Sequence, residues 1–418
     1  MARLAHTKTC MTRRHETQHE ASSSEYCILH VTPHYAPAWA YGGPPRIAHA
    51  LCKELAARDH HVTVFTNDSL GPGQRYVGPR PAEIDGVRIF YFRNLSNALK
   101  ARLNLSTPLG LERTARRLLP AFDLIHCHEL RTVENLIVTP VAAQLRKPLL
   151  LTPHGTLPYE TGRGGIKAMW DRLFGRALMR RFAHVAAESE QAMREVRALR
   201  ARLALPPKVD YRIIPNGVTP DEFASLPPSE AFRARWGIPL DAPLVLFLGR
   251  LHPRKGLDVL IPALARASVP DAWLAVVGPD EGAHGAARAL AGKMGLGDRA
   301  VFTGLLGGDD KLAALAAADV FALPAVGEGM PIAALEACAS GLPVLLSEGC
   351  NLPEVAAAGA GRVLPRDVEA WAEALEALLS DPEARATMSE LARRMVGERF
   401  TWSAVVDRLE AFYDAILG

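Results

Sequence analysis

The sequence predicts an α/β protein made of two doubly wound domains, and three observations carry that prediction. Short, almost wholly apolar runs alternate with helical patterns along nearly the whole chain, as parallel strands covered on both faces require. A proline-rich stretch, Val218–Pro243, holds Pro220, Pro227, Pro228, Pro239 and Pro243 and separates two such series. The 418 residues are 49% hydrophobic and 22% charged, enough for two or three domains with sizeable cores.

The elements follow in order. Residues 1–25 carry Arg13, Arg14 and three His without an apolar run of leader length, so they read as a disordered tail. Strands are expected at Tyr26–Thr32, Val62–Thr66, Leu124–Cys127 and Leu149–Thr152. Between the first two, Arg46–Arg58 sets Ile47, Ala50, Leu51 and Leu55 on one helical stripe. Residues 26–217 thus form a first domain, and Val218–Pro243 reads as a link with a short helix inside it. The second series places strands at Leu244–Gly249, Leu274–Gly278, Val320–Leu323 and Pro343–Leu346, within a second domain at residues 218–400. The end of the chain, 401–418, reads as one helix, with Val405, Leu409, Phe412 and Ile416 on a single face.

Several function classes are excluded. Lys and Arg number 48 against 45 Asp and Glu, a net charge of +3, which is too small for a dedicated nucleic-acid binder. No apolar run is long enough to span a bilayer. The six cysteines form no C-x-x-C pair, so a zinc site is not expected. Cys27 and Cys127 lie in apolar runs, read as free thiols packed as small hydrophobes in a reducing compartment. Neither a G-x-G-x-x-G after a strand nor an Asp-x-Asp triplet occurs, so neither a dinucleotide fingerprint nor a metal-holding carboxylate pair is expected.

The chemistry-bearing residues cluster at predicted strand ends. The strand ending at Gly249 is followed by Arg250, then Lys255-Gly256 and a helix from Leu257. Two cations at the carboxyl end of a buried strand, beside a helix N-terminus, suit a diphosphate or are solvated loop charges. The strand Val320–Leu323 leads into Glu328, Gly329 and Met330, and a helix opens at Pro331. Glu328 alone could merely complement the helix dipole. Glu336, in the mostly apolar run Ile332–Cys338, needs hydrogen-bonding partners such as a sugar or ribose diol. Near the front of the chain, Gly42-Gly43 permits a close backbone approach or a plain turn. Thr152-Pro153-His154-Gly155 puts a histidine on a strand-end loop, in a structural or a ligand role. His126 and His128 flank Cys127, but without a third close ligand no metal site is expected.

In this order, these pieces resemble the group 1 (family 4) retaining glycosyltransferases of the GT-B fold. The resemblance covers roughly residues 26–418. It rests on Gly42-Gly43, Thr152-Pro153-His154-Gly155, Pro215-Asn216-Gly217-Val218, Gly249-Arg250 with Lys255-Gly256, the E-x7-E pair Glu328 and Glu336, Gly341-Leu342-Pro343-Val344 and Pro353-Glu354. It implies two Rossmann-like domains facing across a cleft, with the helix 401–418 packing back on the first. Arg250 and Lys255 would then hold the donor diphosphate as it leaves, and Glu336 the ribose. Glu328 would hold the transferred sugar, helped by Gly329 and Met330. His154 would contact that sugar from the first domain, and the Gly42-Gly43 loop would close on the diphosphate, with Gly249 beside it.

The implied enzyme is a metal-independent hexosyltransferase. It needs no cofactor, takes a nucleoside-diphosphate sugar as co-substrate and acts on a glycan or lipid-linked acceptor in polysaccharide or glycolipid synthesis. Met330 and Pro331 replace the aromatic and Gly of many members, which bears on sugar choice. Residues 163–202 hold ten cations against four acids, interleaved with Trp170, Leu173, Phe174, Leu178 and Phe182. Such a surface suits an anionic membrane or a solvated helix face, so the expected location is cytoplasmic, peripheral on the inner membrane face. The competing readings are a GT-B sugar-nucleotide epimerase and a non-catalytic nucleotide-sugar-binding subunit.

Overall fold

Among the described residues there are sixteen strands, and eight of them, with the helices between, fall at the apolar runs read above. The structure is a computed structural model that describes residues 25–71, 73–97, 100, 105–159 and 164–418. The expected tail at 1–25, Glu25 apart, lies outside the described residues, as does Arg163.

In the first unit the strands are β1 (Cys27–Val31), β2 (His61–Asn67), β3 (Ser69–Gly71), β4 (Gln74–Arg75), β5 (Ala82–Ile84), β6 (Val87–Phe92), β7 (Leu124–His128), β8 (Leu149–Thr152), β9 (His184–Ala187) and β10 (Asp210–Ile213). Eight of them form one sheet in the order β10-β9-β8-β7-β1-β2-β6-β5, and β3 pairs with β4 apart from it. The eight-stranded sheet is parallel except for the edge pair β5/β6. Its centre is dry: Ile28, Leu29, Val64, Ile125 and Leu150 are fully buried. Helices cover it, including Gly43–Ala57, which opens on Pro44 and Pro45, where no N–H is needed.

The second unit holds β11 (Leu244–Leu248), β12 (Trp273–Val277), β13 (Ala300–Gly304), β14 (Val320–Leu323), β15 (Val344–Ser347) and β16 (Gly361–Leu364). They form a parallel sheet in the order β13-β12-β11-β14-β15-β16. The order reverses between β11 and β14, the switch point at which open α/β sheets bind ligands. Both sheets are Rossmann-like.

The chain divides at Pro215/Asn216 and again at Ala404/Val405, so Val405–Gly418 belongs to the first unit. These boundaries fall two residues before and four after the expected ones. The shift has a local cause. The Val218 N–H donates to Phe400 O, the Trp402 N–H donates to Val218 O, and a Cβ on Gly217 would lie 2.8 Å from the Trp402 ring. The proline-rich stretch is therefore no loose link. Phe223, Phe232 and Ile238 bury themselves in the second core, and Arg233 satisfies the carbonyls of Pro239, Ala242 and Ala317.

The terminal helix, Trp402–Leu417, buries Val405, Val406, Leu409, Phe412 and Tyr413. Polar ties fix its first-unit portion: Arg58 to Asp407 and Glu410, and Tyr26 to Asp414. Cys127 is a buried free thiol as expected, whereas Cys27 is disulfide-bonded and so is not the free apolar thiol expected there.

Candidate functional site

In the second unit the strand ends are brought together by glycines that tolerate no side chain. Gly278 has φ +148°, and a Cβ there would lie 1.8 Å from Gly249 O, so the ends of β11 and β12 meet backbone to backbone. Gly256 has φ +87°, and a Cβ would come within 2.1 Å of Pro324 O. Only glycine permits both the left-handed turn and that approach. The turn Pro253–Lys255 is capped by His252, whose Nδ1 accepts the Arg254 N–H at 3.1 Å. Arg254 then clamps the loop after β14, donating to the carbonyls of Val326 and Gly327 at 2.8 and 2.6 Å. The Val326 N–H returns a bond to Arg254 O at 2.7 Å.

This stitching sets Lys255 against Glu328. Lys255 Nζ lies 2.8 Å from Glu328 Oε2, with side chains 14% and 20% exposed. Glu328 is fixed through its backbone: its N–H donates to Gly349 O, and its carbonyl accepts from the Asn351 amide. The loop then turns into the helix Ile332–Ser340 at Pro331. Met330 is buried and its carbonyl accepts from Asn216 Nδ2 at 2.9 Å. Among the described residues, neither the Gly329 nor the Met330 N–H donates to a backbone carbonyl, so two amides at a helix start remain available to an anion or hydroxyl.

Two further pairs complete this region. Glu336 Oε1 lies 2.8 Å from Lys311 Nζ, which comes from the helix Gly308–Ala317. Arg250 turns to Glu281, meeting both carboxylate oxygens at 2.7 and 2.8 Å. That pair is exposed, 57% and 36%, so it is worth at most about 1 kcal/mol and exchanges readily for a stronger anion. The structure thus joins Lys255 to Glu328, gives Glu336 the partner that its burial demanded, and holds Arg250 on Glu281. Lys311 and Glu281 escaped sequence reasoning: each is an ordinary surface charge until the fold pairs it.

In the first unit, Gly42 has φ +89° and opens the helix Gly43–Ala57, with nothing within 4 Å of a built Cβ. His154 and Gly155 form a left-handed turn after β8, φ 52° and 63°. The His154 side chain is only 1% exposed. Its Nε2 pairs with His128 Nδ1 at 2.8 Å, and its Nδ1 faces Glu188 Oε1 at 4.0 Å. The ring nitrogens therefore point into the unit, and the surface of this turn is backbone.

His154 sits in a buried histidine network. His128 Nε2 pairs with His30 Nδ1 at 2.9 Å. His126 pairs with Thr152 Oγ1 at 2.7 Å and with the Tyr413 hydroxyl at 2.8 Å. Burial pushes His30 down to about 3 and His154 down to about 4, and holds His126 and His128 well below the usual imidazole range. Nitrogens of His30, His126 and His128 lie within 4.8 Å of one another. All but His30 Nε2 are already hydrogen-bonded, and the His126 and His128 rings stack at 17°. His30 is thus the third close ligand beside His126 and His128 that the sequence did not reveal, and the rings form a hydrogen-bonded spine.

The cationic segment narrows on inspection. Arg200 is buried and donates to Pro206 O, Arg202 stacks on Tyr159, and Trp170, Leu178 and Phe182 are core residues. What faces outward is a helical stretch, Gly164–Met179, with a π-helical turn at Asp171–Gly175. Met169, Leu173 and Phe174 are exposed by 60%, 63% and 40%, beside exposed Arg172, Arg176 and Arg180. Arg131 pins the turn from inside with a fork on Asp171, at 2.9 and 2.7 Å. Among the described residues no helix is long and apolar enough to cross a membrane.

Comparison with known proteins shows the family. Residues 228–395 match the family described as glycosyl transferases group 1, and residues 41–222 match glycosyltransferase family 4. A GDP-mannose-dependent alpha-(1-6)-phosphatidylinositol monomannoside mannosyltransferase of Mycolicibacterium smegmatis is 34% identical over 295 residues, 67% of this chain and 75% of that protein. A D-inositol 3-phosphate glycosyltransferase of Xylanimonas cellulosilytica is 29% identical over 383 residues, 84% and 86% of the two chains. Among solved structures, sucrose-phosphate synthase from Thermosynechococcus elongatus superposes with a TM-score of 0.70 at 25% identity, covering 93% of this chain and 98% of that one. HepE of Anabaena, in complex with UDP and glucose, gives 0.71 at 18% identity, covering 94% and 100%, a likeness of fold.

Proposed function

The chain belongs to the group 1 glycosyltransferases of family 4, and from that premise we propose how its residues divide the work of sugar transfer. It is a retaining glycosyltransferase of the GT-B fold, moving a sugar from a nucleoside-diphosphate sugar to a glycan or lipid-linked acceptor. The observation that carries the assignment of roles is the Lys255–Glu328 pair at the sheet's switch point.

Lys255 and Arg250 take the diphosphate. Arg250 leaves Glu281 for the stronger, doubly charged partner, to which its planar fork is matched. Glu328, with the free amides of Gly329 and Met330, binds hydroxyls of the transferred sugar. Glu336 takes the ribose hydroxyls, one of its oxygens being held by Lys311. Gly249 leaves the end of β11 open to the phosphates. The Gly42-Gly43 turn is assigned to the diphosphate and the His154 turn to the sugar, and both assignments rest on the motifs. Since the His154 ring nitrogens face inward, its contribution to sugar binding comes from the backbone of the turn.

Transfer proceeds on one face of the sugar. The bond from C1 to the diphosphate oxygen breaks, charge gathers on the leaving phosphate, and Lys255 and Arg250 stabilise it. The acceptor oxygen forms its bond to C1 from the same side, and its proton passes to the departing phosphate oxygen. Side-chain cations do here what a divalent ion does elsewhere, so no metal is required.

The acceptor side is read from chemistry and from relatives. The mycobacterial relative's name specifies a phosphatidylinositol-linked acceptor. Met169, Leu173 and Phe174 among three arginines give this chain a surface suited to an anionic bilayer. The acceptor class is therefore a glycolipid or a lipid-linked glycan, met at a membrane surface. A thermal-shift screen of nucleoside diphosphates and their sugars, with and without chelator, tests the donor reading. One nucleotide sugar should raise the melting temperature with the logarithm of its concentration, unaffected by chelator. No shift with any of them would refute it.

A further inference from the structure

Adjacent strands of the first sheet each bring a polar side chain to the same buried place. Glu188 directly follows β9, His154 follows β8, His128 ends β7 and His30 lies in β1, and these strands are neighbours in the sheet. The three rings make one hydrogen-bonded thread, His154 Nε2 to His128 Nδ1 at 2.8 Å and His128 Nε2 to His30 Nδ1 at 2.9 Å, and Glu188 Oε1 stands 4.0 Å from His154 Nδ1, beyond hydrogen-bond reach. Both ends are unsatisfied. Neither Glu188 oxygen has a well-formed hydrogen bond, and His30 Nε2 has no partner among the described residues. Buried polar groups left this way demand an explanation.

A neutral imidazole has one N–H and one lone pair. Each link in the thread uses one of each, so the direction of any link fixes the next. Two arrangements exist. In the first, all three rings carry the proton on Nδ1: His30 donates to His128, His128 donates to His154, and the His154 Nδ1–H faces an ionised Glu188. In the second, all three carry it on Nε2, every link is reversed, and the lone pair of His154 Nδ1 faces Glu188. A carboxylate there would be repelled, so Glu188 is protonated.

We propose that Glu188 is a positioning residue whose protonation selects the tautomer of His154, His128 and His30 together. The step balances. One proton enters at His30 Nε2, the protons of the two links each cross their hydrogen bond, and the His154 Nδ1 proton passes to Glu188 once the 4.0 Å gap between them closes. One proton is taken up, one carboxylate is neutralised, and every ring ends neutral. The environment supports this division of labour. Burial keeps the imidazoles from holding charge, His30 at about 3 and His154 at about 4. Burial also lifts Glu188 to about 7, with Glu195 on the following helix adding like charge and the amides of Glu188, Gly155 and His154 pulling the other way. Both arrangements are thus within reach near neutral pH. The thread anchors the ring of the left-handed His154–Gly155 turn. Its bearing on catalysis rests on the placing of that turn at the sugar, but the tautomer itself does not.

The test needs no substrate. In the full chain labelled with 15N-histidine, long-range proton–nitrogen NMR distinguishes Nδ1–H from Nε2–H rings. In the wild type, the three rings should carry Nδ1–H at about pH 8 and Nε2–H at about pH 6, changing together. Glu188→Gln, whose amide donates to His154 Nδ1, should fix the second form at both values. His30→Phe, which removes the intake end, should abolish the change while leaving Glu188 in place. Tautomers that do not change in the wild type between these values overturn the proposal, as does a change that persists in either variant.

Discussion

Lys255 Nζ lies 2.8 Å from Glu328 Oε2, a cation and a carboxylate from two strand ends that are far apart in sequence. In the proposed reading each neutralises the other until a donor separates their tasks, phosphate for one and hydroxyl for the other. Removing a preorganised charge that stabilises a leaving group costs on the order of 10²–10³ in rate. Lys255→Ala and Arg250→Ala should each lower kcat by about that factor, measured with saturating donor. Turnover near the wild type in both would take the diphosphate away from these residues.

Lys311 occupies one oxygen of Glu336, and in the proposed reading the other is left for the donor. Lys311→Met should therefore weaken donor binding and spare the chemical step. A charged hydrogen bond of this kind is worth roughly tenfold in affinity. The expected result is a donor KM roughly tenfold higher with kcat nearly unchanged, and an equal loss in both parameters would point to a different role.

Gly256→Ala sets a methyl group against Pro324 O in a backbone conformation that alanine avoids. The variant should lose at least about 2 kcal/mol of stability, read from urea unfolding. Because the turn carries Lys255, activity should fall further than the stability loss explains. Gly285→Ala, with open space at its Cβ, serves as the control and should be close to neutral.

The histidine spine should make the fold acid-labile. His30 and His154 are depressed in the folded state to about 3 and about 4 from 6.5. A depressed folded value contributes stability that is fully present above 6.5 and is lost as pH falls toward the folded values. Urea unfolding at about pH 7 and about pH 4.5 should differ by several kcal/mol, and His30→Phe should narrow the gap. Glu188 acts in the opposite sense. Its raised value gives stability that is present below about 4.5 and lost as pH rises through about 7, so Glu188→Gln should help most in mild alkali.

The exposed stripe of Met169, Leu173 and Phe174 should bind vesicles containing anionic lipid at low salt. Leu173→Glu places a repelled charge at its centre and should weaken binding by about tenfold. Equal binding by both proteins in a flotation assay would show that the stripe is not the contact.

Much of this was legible in the sequence because parallel strands buried on both faces leave unbroken apolar runs. Leu244–Gly249 and Val320–Leu323 were found within a residue of β11 and β14. β9, β10, β13 and β16 were not found, since His184, Asp210, Arg212, Thr303 and Arg362 interrupt them at or near the sheet margins. The E-x7-E spacing exposed Glu328 and Glu336 because both lie on one short loop-and-helix segment. Lys311, Glu281 and Glu188 lie in other segments, and only the closing of the sheets brings them to Glu336, Arg250 and His154. The prolines of 218–243 suggested a tether because they break helix periodicity, but the phenylalanines between them belong to a core.

Tyr413, Glu410 and Asp414 close the first unit, yet the ribosome makes them after the whole of the second. His60 waits for Glu410, and His126 for the Tyr413 hydroxyl, throughout that synthesis. A nascent chain halted before Val405 would leave the earlier half unfinished while the later half could already fold, so maturation of the two halves runs opposite to their order of synthesis.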